Sequence, residues 1–176
     1  MLKNCIFSKK MCKKCRKSFD KPILTKYNII EKFCLEDKAM NRKEAREALF
    51  TVLFAGEFQA ETSPLTLWKD AVEEGRVEND RYAESLAVLL SEHEEEIVAL
   101  GQKYAVGWKW SRISPVSRTV LKIALTEMFY MPDIPLVVSL NEAVEISKKY
   151  DDEKAYGFIN GVLNAAKADP LAVEKK

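Results

Sequence analysis

Ser114-Pro-Val-Ser-Arg-Thr-Val-Leu-Lys-Ile-Ala-Leu-Thr-Glu-Met128 is the stretch that decides the fold class. Ser114 is an N-cap, and Pro115 fits the first helical turn, where a missing N–H costs nothing. Val116, Val120, Leu121, Ala124, Leu125 and Met128 then recur at helical spacing. The apolar stripe is wide, so this helix is predicted to lie largely inside the protein. Pro132 and Pro135 end it and force an extended link.

The helical period continues outward in both directions. Over Asn41–Phe58, Ala45, Leu49, Val52 and Leu53 share one face. Ser63-Pro64 starts a helix through Leu65, Trp68 and Val72 that should stop at Gly75. Asn79 or Asp80 caps the next, which carries Tyr82, Leu86, Leu89 and Leu90. The acidic run His93–Glu96 reads as a solvated turn, with Ile97, Leu100 and Tyr104 as a further stripe ending at Gly107. Trp108 and Trp110 bracket a polar link. Downstream, Ser139 and Glu142 have the spacing of a capping box, with Val138 and Ala143 as its staple. Asp151 or Asp152 caps a last helix whose apolar face is Phe158, Ile159, Val162, Leu163 and Ala166. Gly157 and Gly161 lie inside that helix at a cost of about 1 kcal/mol each relative to alanine. Close approach of a helix or ligand there is the expected compensation. The prediction is an all-α body of six or seven helices, with a frayed tail after Asp169-Pro170.

Composition agrees with one globular body. The chain has 176 residues, 47% hydrophobic and 31% charged. Its apolar runs are far shorter than the roughly 20 residues a spanning helix needs, so no membrane segment is expected. Six glycines and six prolines are too few for a many-turned β protein. The formal net charge of +1 conceals two unlike parts. Residues 1–39 carry 11 Lys/Arg against 4 Asp/Glu and all four cysteines; residues 40–176 carry 17 against 23. That break predicts a boundary at Ala39–Met40.

Residues 1–39 are read as a basic, cysteine-containing extension, either disordered or upstream of a natural start at Met40. Cys12 and Cys15 have the spacing of half a zinc site, which Cys5 and Cys34 would complete. Zinc sites usually show two tight pairs and here there is one, so no metal is assigned. In the body no nucleophile–base pair, Gly-rich phosphate loop or histidine metal motif occurs, and His93 is read as a surface residue. A binding module, not an enzyme, is the expected class.

Residues 41–169 resemble the NusB family of bacterial transcription antitermination factors. The resemblance rests on Asp133-Ile-Pro-Leu-Val-Val-Ser-Leu-Asn-Glu-Ala-Val-Glu-Ile-Ser-Lys-Lys-Tyr150 and Phe158-Ile-Asn-Gly-Val-Leu-Asn164. It rests equally on Arg112–Glu127 and on the opening Arg42-Lys-Glu-Ala-Arg-Glu-Ala-Leu-Phe50. It implies two small helical bundles packed together. It also implies a non-enzymatic, cofactor-free cytoplasmic role: binding boxA RNA together with the NusE-type ribosomal protein, within the RNA polymerase antitermination complex on ribosomal RNA operons. Self-association stays open.

A body with an acidic balance needs a local basic patch to hold RNA, because Lys and Arg gain affinity by releasing phosphate counterions. The resemblance directs that role to Arg42, Lys43 and Arg46, with Lys154 as a further phosphate contact and Phe158 as a stacking ring. For the protein partner it directs attention to Ser117, Arg118 and Lys122, expected to be exposed on the helix from Val116 to Phe129. The alternative is a helical protein-interaction module without specific RNA binding.

Overall fold

Residues 40–58 and 62–169 are described in a computed structural model of the chain. Expectations for residues 1–39, and for the tail from Pro170, lie outside the described residues. The chain divides into two units between Ala39 and Met40, and the second unit is the one described.

Every regular element among the described residues is helical: α1 (Arg42–Gly56), α2 (Pro64–Glu73), α3 (Arg81–Glu92), α4 (Glu94–Tyr104), α5 (Pro115–Tyr130), α6 (Leu136–Tyr150) and α7 (Glu153–Lys167). A single 3-10 turn, Trp110–Arg112, precedes α5. Asn41 caps α1 in a reciprocal box: its side chain accepts from the Lys43 and Glu44 N–H groups, and Glu44 accepts from the Asn41 N–H. Ser63, Asp80, Ser114 and Asp152 cap α2, α3, α5 and α7 with their side chains. α2 ends in a Schellman motif. The Arg76 N–H reaches the Ala71 carbonyl across Gly75, whose φ is +70°. His93 (φ −120°, ψ 21°) breaks the chain direction between α3 and α4. The acidic first turn of α4, Glu94–Glu96, then suits the positive end of its dipole.

Two expectations are corrected. α6 starts one turn early, at Leu136 behind Pro135, so Ser139 and Glu142 lie within the helix instead of boxing its start. Pro135 holds the φ of −59° that helix entry needs, and the early start turns Ser139 and Leu140 into the core. Gly157 and Gly161 are not closely approached: a Cβ built on either meets nothing within 4 Å. The tight glycines are elsewhere. A Cβ on Gly56 would strike Leu67 at 2.1 Å, and one on Gly101 would strike the Trp110 ring at 2.4 Å.

The helices form two groups, α1–α3 and α4–α7. α5 touches α1, α3, α4, α6 and α7, so it serves both. Eleven of its sixteen residues are buried, including Val120, Leu121, Ala124, Leu125 and Met128. One continuous core joins these to Leu49 and Phe50 of α1, Trp68 of α2, Leu86 and Leu90 of α3, Ile97 of α4 and Ile159 and Leu163 of α7. Each Val, Leu, Ile, Phe or Met side chain among them contributes about 1.5–3 kcal/mol on burial.

Candidate nucleic-acid and partner interface

The first turn of α1 carries the expected cations, but the structure separates them. Arg42 and Lys43 are exposed. Arg46 is 4% exposed and forms an ion pair with Glu127 of α5, itself 1% exposed, at 2.6 Å. Tyr82 of α3 donates its hydroxyl to the same carboxylate oxygen. Burial works against the Arg46 charge, but the bond and the field of Glu127 outweigh it and raise its pKa. Burial and the same anion push the Tyr82 phenol up, so it stays a donor. Arg46 is therefore not the surface cation that its expected phosphate contact calls for. Spacing does not separate the two arginines: Arg42 stands three residues before Ala45 and seven before Leu49, as Arg46 stands before Leu49 and Leu53.

The residues named for the protein partner are also less exposed than expected. Ser117 is 3% exposed, and with Ser114 it donates to Asp151 Oδ2, each at 2.9 Å, tying the start of α5 to the α6–α7 turn. Arg118 and Lys122 converge on Glu57 at 2.8 Å each, and Lys122 also reaches Glu94 at 3.1 Å. Burial raises the Glu57 pKa, but the two cations outweigh it and hold the carboxyl below the usual range. The common cause is the central place of α5, which leaves few of its positions facing outward.

Nearby lies an aromatic row that the apolar-stripe reading passed over. Phe50, Phe54 and Phe58 stand at i, i+4 and i+8 along α1 and beyond its end. Their rings follow one another at 5.9 and 5.4 Å, and Tyr150 lies 4.8 Å from Phe50. Phe58 is 70% exposed. Tyr150 and Lys149 both bond Glu47, so the end of α6 is fastened to α1 beside this row.

At the start of α7, Lys154 is exposed and Phe158, one turn on, is half-buried against the core. Phe158 has a partner that was not foreseen: Trp108, whose ring centroid is 5.5 Å away and which is 55% exposed. Gly107, at φ +82°, lets the chain turn here. Gln102 then clamps the link, donating to the Trp108 carbonyl and accepting from the Trp110 N–H at 2.8 Å each. Trp110 folds inward onto Gly101, and Trp108 stays outside with Phe158. A glycine stop directly before an aromatic was the available signal.

His93 stacks on Tyr130 with centroids 4.1 Å apart. Burial and the Glu96 carboxylate push the Tyr130 hydroxyl up to about 12. Among the described residues no helix is long and apolar enough to cross a membrane. Among them, too, no group of three His, Cys, Asp or Glu side chains could hold a metal ion. These elements make an all-α module with cations exposed at the start of α1 and the exposed Trp108 ring set against Phe158.

The comparisons with known proteins name the kind. A model of the NusB family matches residues 41–168. The transcription antitermination protein NusB of Bacillus subtilis is 38% identical over 132 residues, covering 74% of this chain and 97% of that protein. The protein of the same name from Carboxydothermus hydrogenoformans is 37% identical over 130 residues, covering 70% and 90%. Among solved structures, NusB of T. maritima aligns with a TM-score of 0.69 at 29% identity, over 78% of this chain and 97% of that one. A crystal structure of antitermination factors NusB and NusE in complex with dsRNA aligns at 0.62 and 33% identity, over 70% and 93%. The chain belongs to the NusB family.

Proposed function

We propose that this protein is a transcription antitermination factor that binds boxA RNA together with a NusE-type ribosomal protein, as part of the antitermination assembly on RNA polymerase in the cytoplasm. It works by binding and not by catalysis. The observation that carries this is the family match over residues 41–168, which spans nearly the whole of relatives bearing that activity in their names. The neighbouring NusB–NusE–dsRNA complex supports the pairing of a protein partner with RNA.

The chemistry of the surface supports the same reading. Arg42 and Lys43 supply phosphate contacts, and Lys154 adds one beside the Trp108–Phe158 rings, on which an unpaired base can stack. The Phe54–Phe58 edge offers apolar area for the protein partner, with Arg118 and Lys122 as its polar rim.

The test measures binding of the full chain to boxA RNA and to a scrambled RNA, with and without the NusE-type protein, at two salt concentrations. Preference for boxA that strengthens with the partner is expected. Arg42→Ala with Lys43→Ala should weaken binding by on the order of tenfold or more and flatten its salt dependence. Trp108→Ala should cost about 1–3 kcal/mol of RNA affinity. Equal, partner-independent binding of both RNAs sinks the proposal in favour of a protein-interaction module.

A further inference from the structure

Arg46 makes too specific a set of contacts for a residue whose only task is to fill the core. A buried ion pair is weak support for stability, since well-packed apolar residues often serve as well or better. Arg46 Nε bonds Glu127 at 2.6 Å, and the Tyr82 hydroxyl bonds the same oxygen. The Tyr82 ring then has guanidinium groups near it from two successive turns of α1: Arg46 Cζ lies 5.2 Å and Arg42 Cζ 5.8 Å from its centroid. Arg46 Nη1 also donates to the Arg42 carbonyl at 3.4 Å. Arg42 is thus approached at its backbone by Arg46 and at its side chain by a ring that Glu127 holds.

We propose that Arg46 is a positioning residue for RNA. The buried Arg46–Glu127–Tyr82 network, which RNA does not touch, fixes the pose of Arg42, which meets the phosphate. The inference rests on the functional reading above and deepens it. An arginine lying against an aromatic face has given up part of its rotamer freedom before the anion arrives, so less is lost on binding. One helical turn thereby divides two arginines into one that contacts and one that aims. The network also joins α1, α3 and α5, so the aim of Arg42 is tied to the packing of the first helical group on the central helix.

A double-mutant cycle tests this, because it measures coupling between two residues and cancels general effects of either change. The full chain, Arg42→Ala, Arg46→Met and the double variant are titrated with boxA RNA over a range of salt. In the wild-type background Arg42→Ala should weaken binding on the order of tenfold and lower the salt slope by about 0.7. In the Arg46→Met background the same change should cost less than about twofold and leave the slope nearly unaltered. A second cycle replaces Arg46→Met with Tyr82→Leu, which removes the ring but leaves the ion pair, in case loss of the cation unfolds the chain; thermal melts identify the folded variants. Equal costs of Arg42→Ala in both backgrounds, or no cost in the wild type, overturn the positioning role while leaving the functional reading intact. Failure of the wild-type chain to bind boxA RNA overturns both.

Discussion

Two ionic clusters lie towards opposite ends of α5 and differ in how much water reaches them. At its C-terminal end Glu127 meets Arg46 and Tyr82 at 1% and 4% exposure for the two charges. Towards its N-terminal end Arg118 and Lys122 meet Glu57 at 20%, 17% and 11% exposure, with Glu94 at 42%. The partners are chemically alike. The surroundings set what each is worth, because a charge left alone in the interior has neither water nor counter-charge, while one at the rim recovers water.

Removing one member of each cluster puts this contrast at risk. Glu127→Gln should destabilise the fold most, by about 3–5 kcal/mol, as the Arg46 cation is stranded. Urea unfolding measures it, and a cost below about 1 kcal/mol would mean that water already reaches the pair. Tyr82→Phe should cost less, about 1.5–3 kcal/mol, the range of a hydrogen bond to a charged group. It sharpens the comparison by separating the hydroxyl from the ion pair. Glu57→Gln should cost least, about 1 kcal/mol or under, because Arg118 and Lys122 regain solvent. A Glu57→Gln cost equal to that of Glu127→Gln would erase the distinction.

The Glu57 cluster also sets an acid signature. Lys122 and Arg118 hold the folded-state carboxyl below its usual range. The unfolded chain, with an ordinary value near 4.3, therefore takes up the proton first. The stability due to Glu57 is complete above that value and is lost as pH falls through the lower folded value. Between about pH 5 and pH 3 the wild type should lose more stability than Glu57→Gln in parallel urea titrations. Parallel losses would show that the cluster is open to solvent in the folded state.

How far these features were legible depends on their range along the chain. Helix ends were readable where a cap and its acceptor are neighbours: Ser63, Ser114 and the Gly75 stop stand where expected. The Ser139–Glu142 spacing misled, because the same residue types also fit a buried second turn, and only the packing of α6 on α5 selects between them. The glycines misled in the same way. Gly157 and Gly161 look like contact points by their cost alone, yet the close contacts fall on Gly56 and Gly101, where Leu67 and Trp110 arrive from other segments.

For the site, the sequence placed cations on the first turn of α1 and an aromatic near the start of α7. It did not separate Arg42 from Arg46, because their different fates depend on Glu127, 81 residues further along. Nor did it pair Trp108 with Phe158, which meet only because the link before α5 folds over α7. By itself the sequence determined the all-α class, the order of the helices and their inward faces, since periodicity, caps and breakers act within a few residues. Tertiary structure alone decided which charges are buried and which stay in water. Burial is a property of whatever packs against a residue, and α5 brings together partners that the chain keeps far apart.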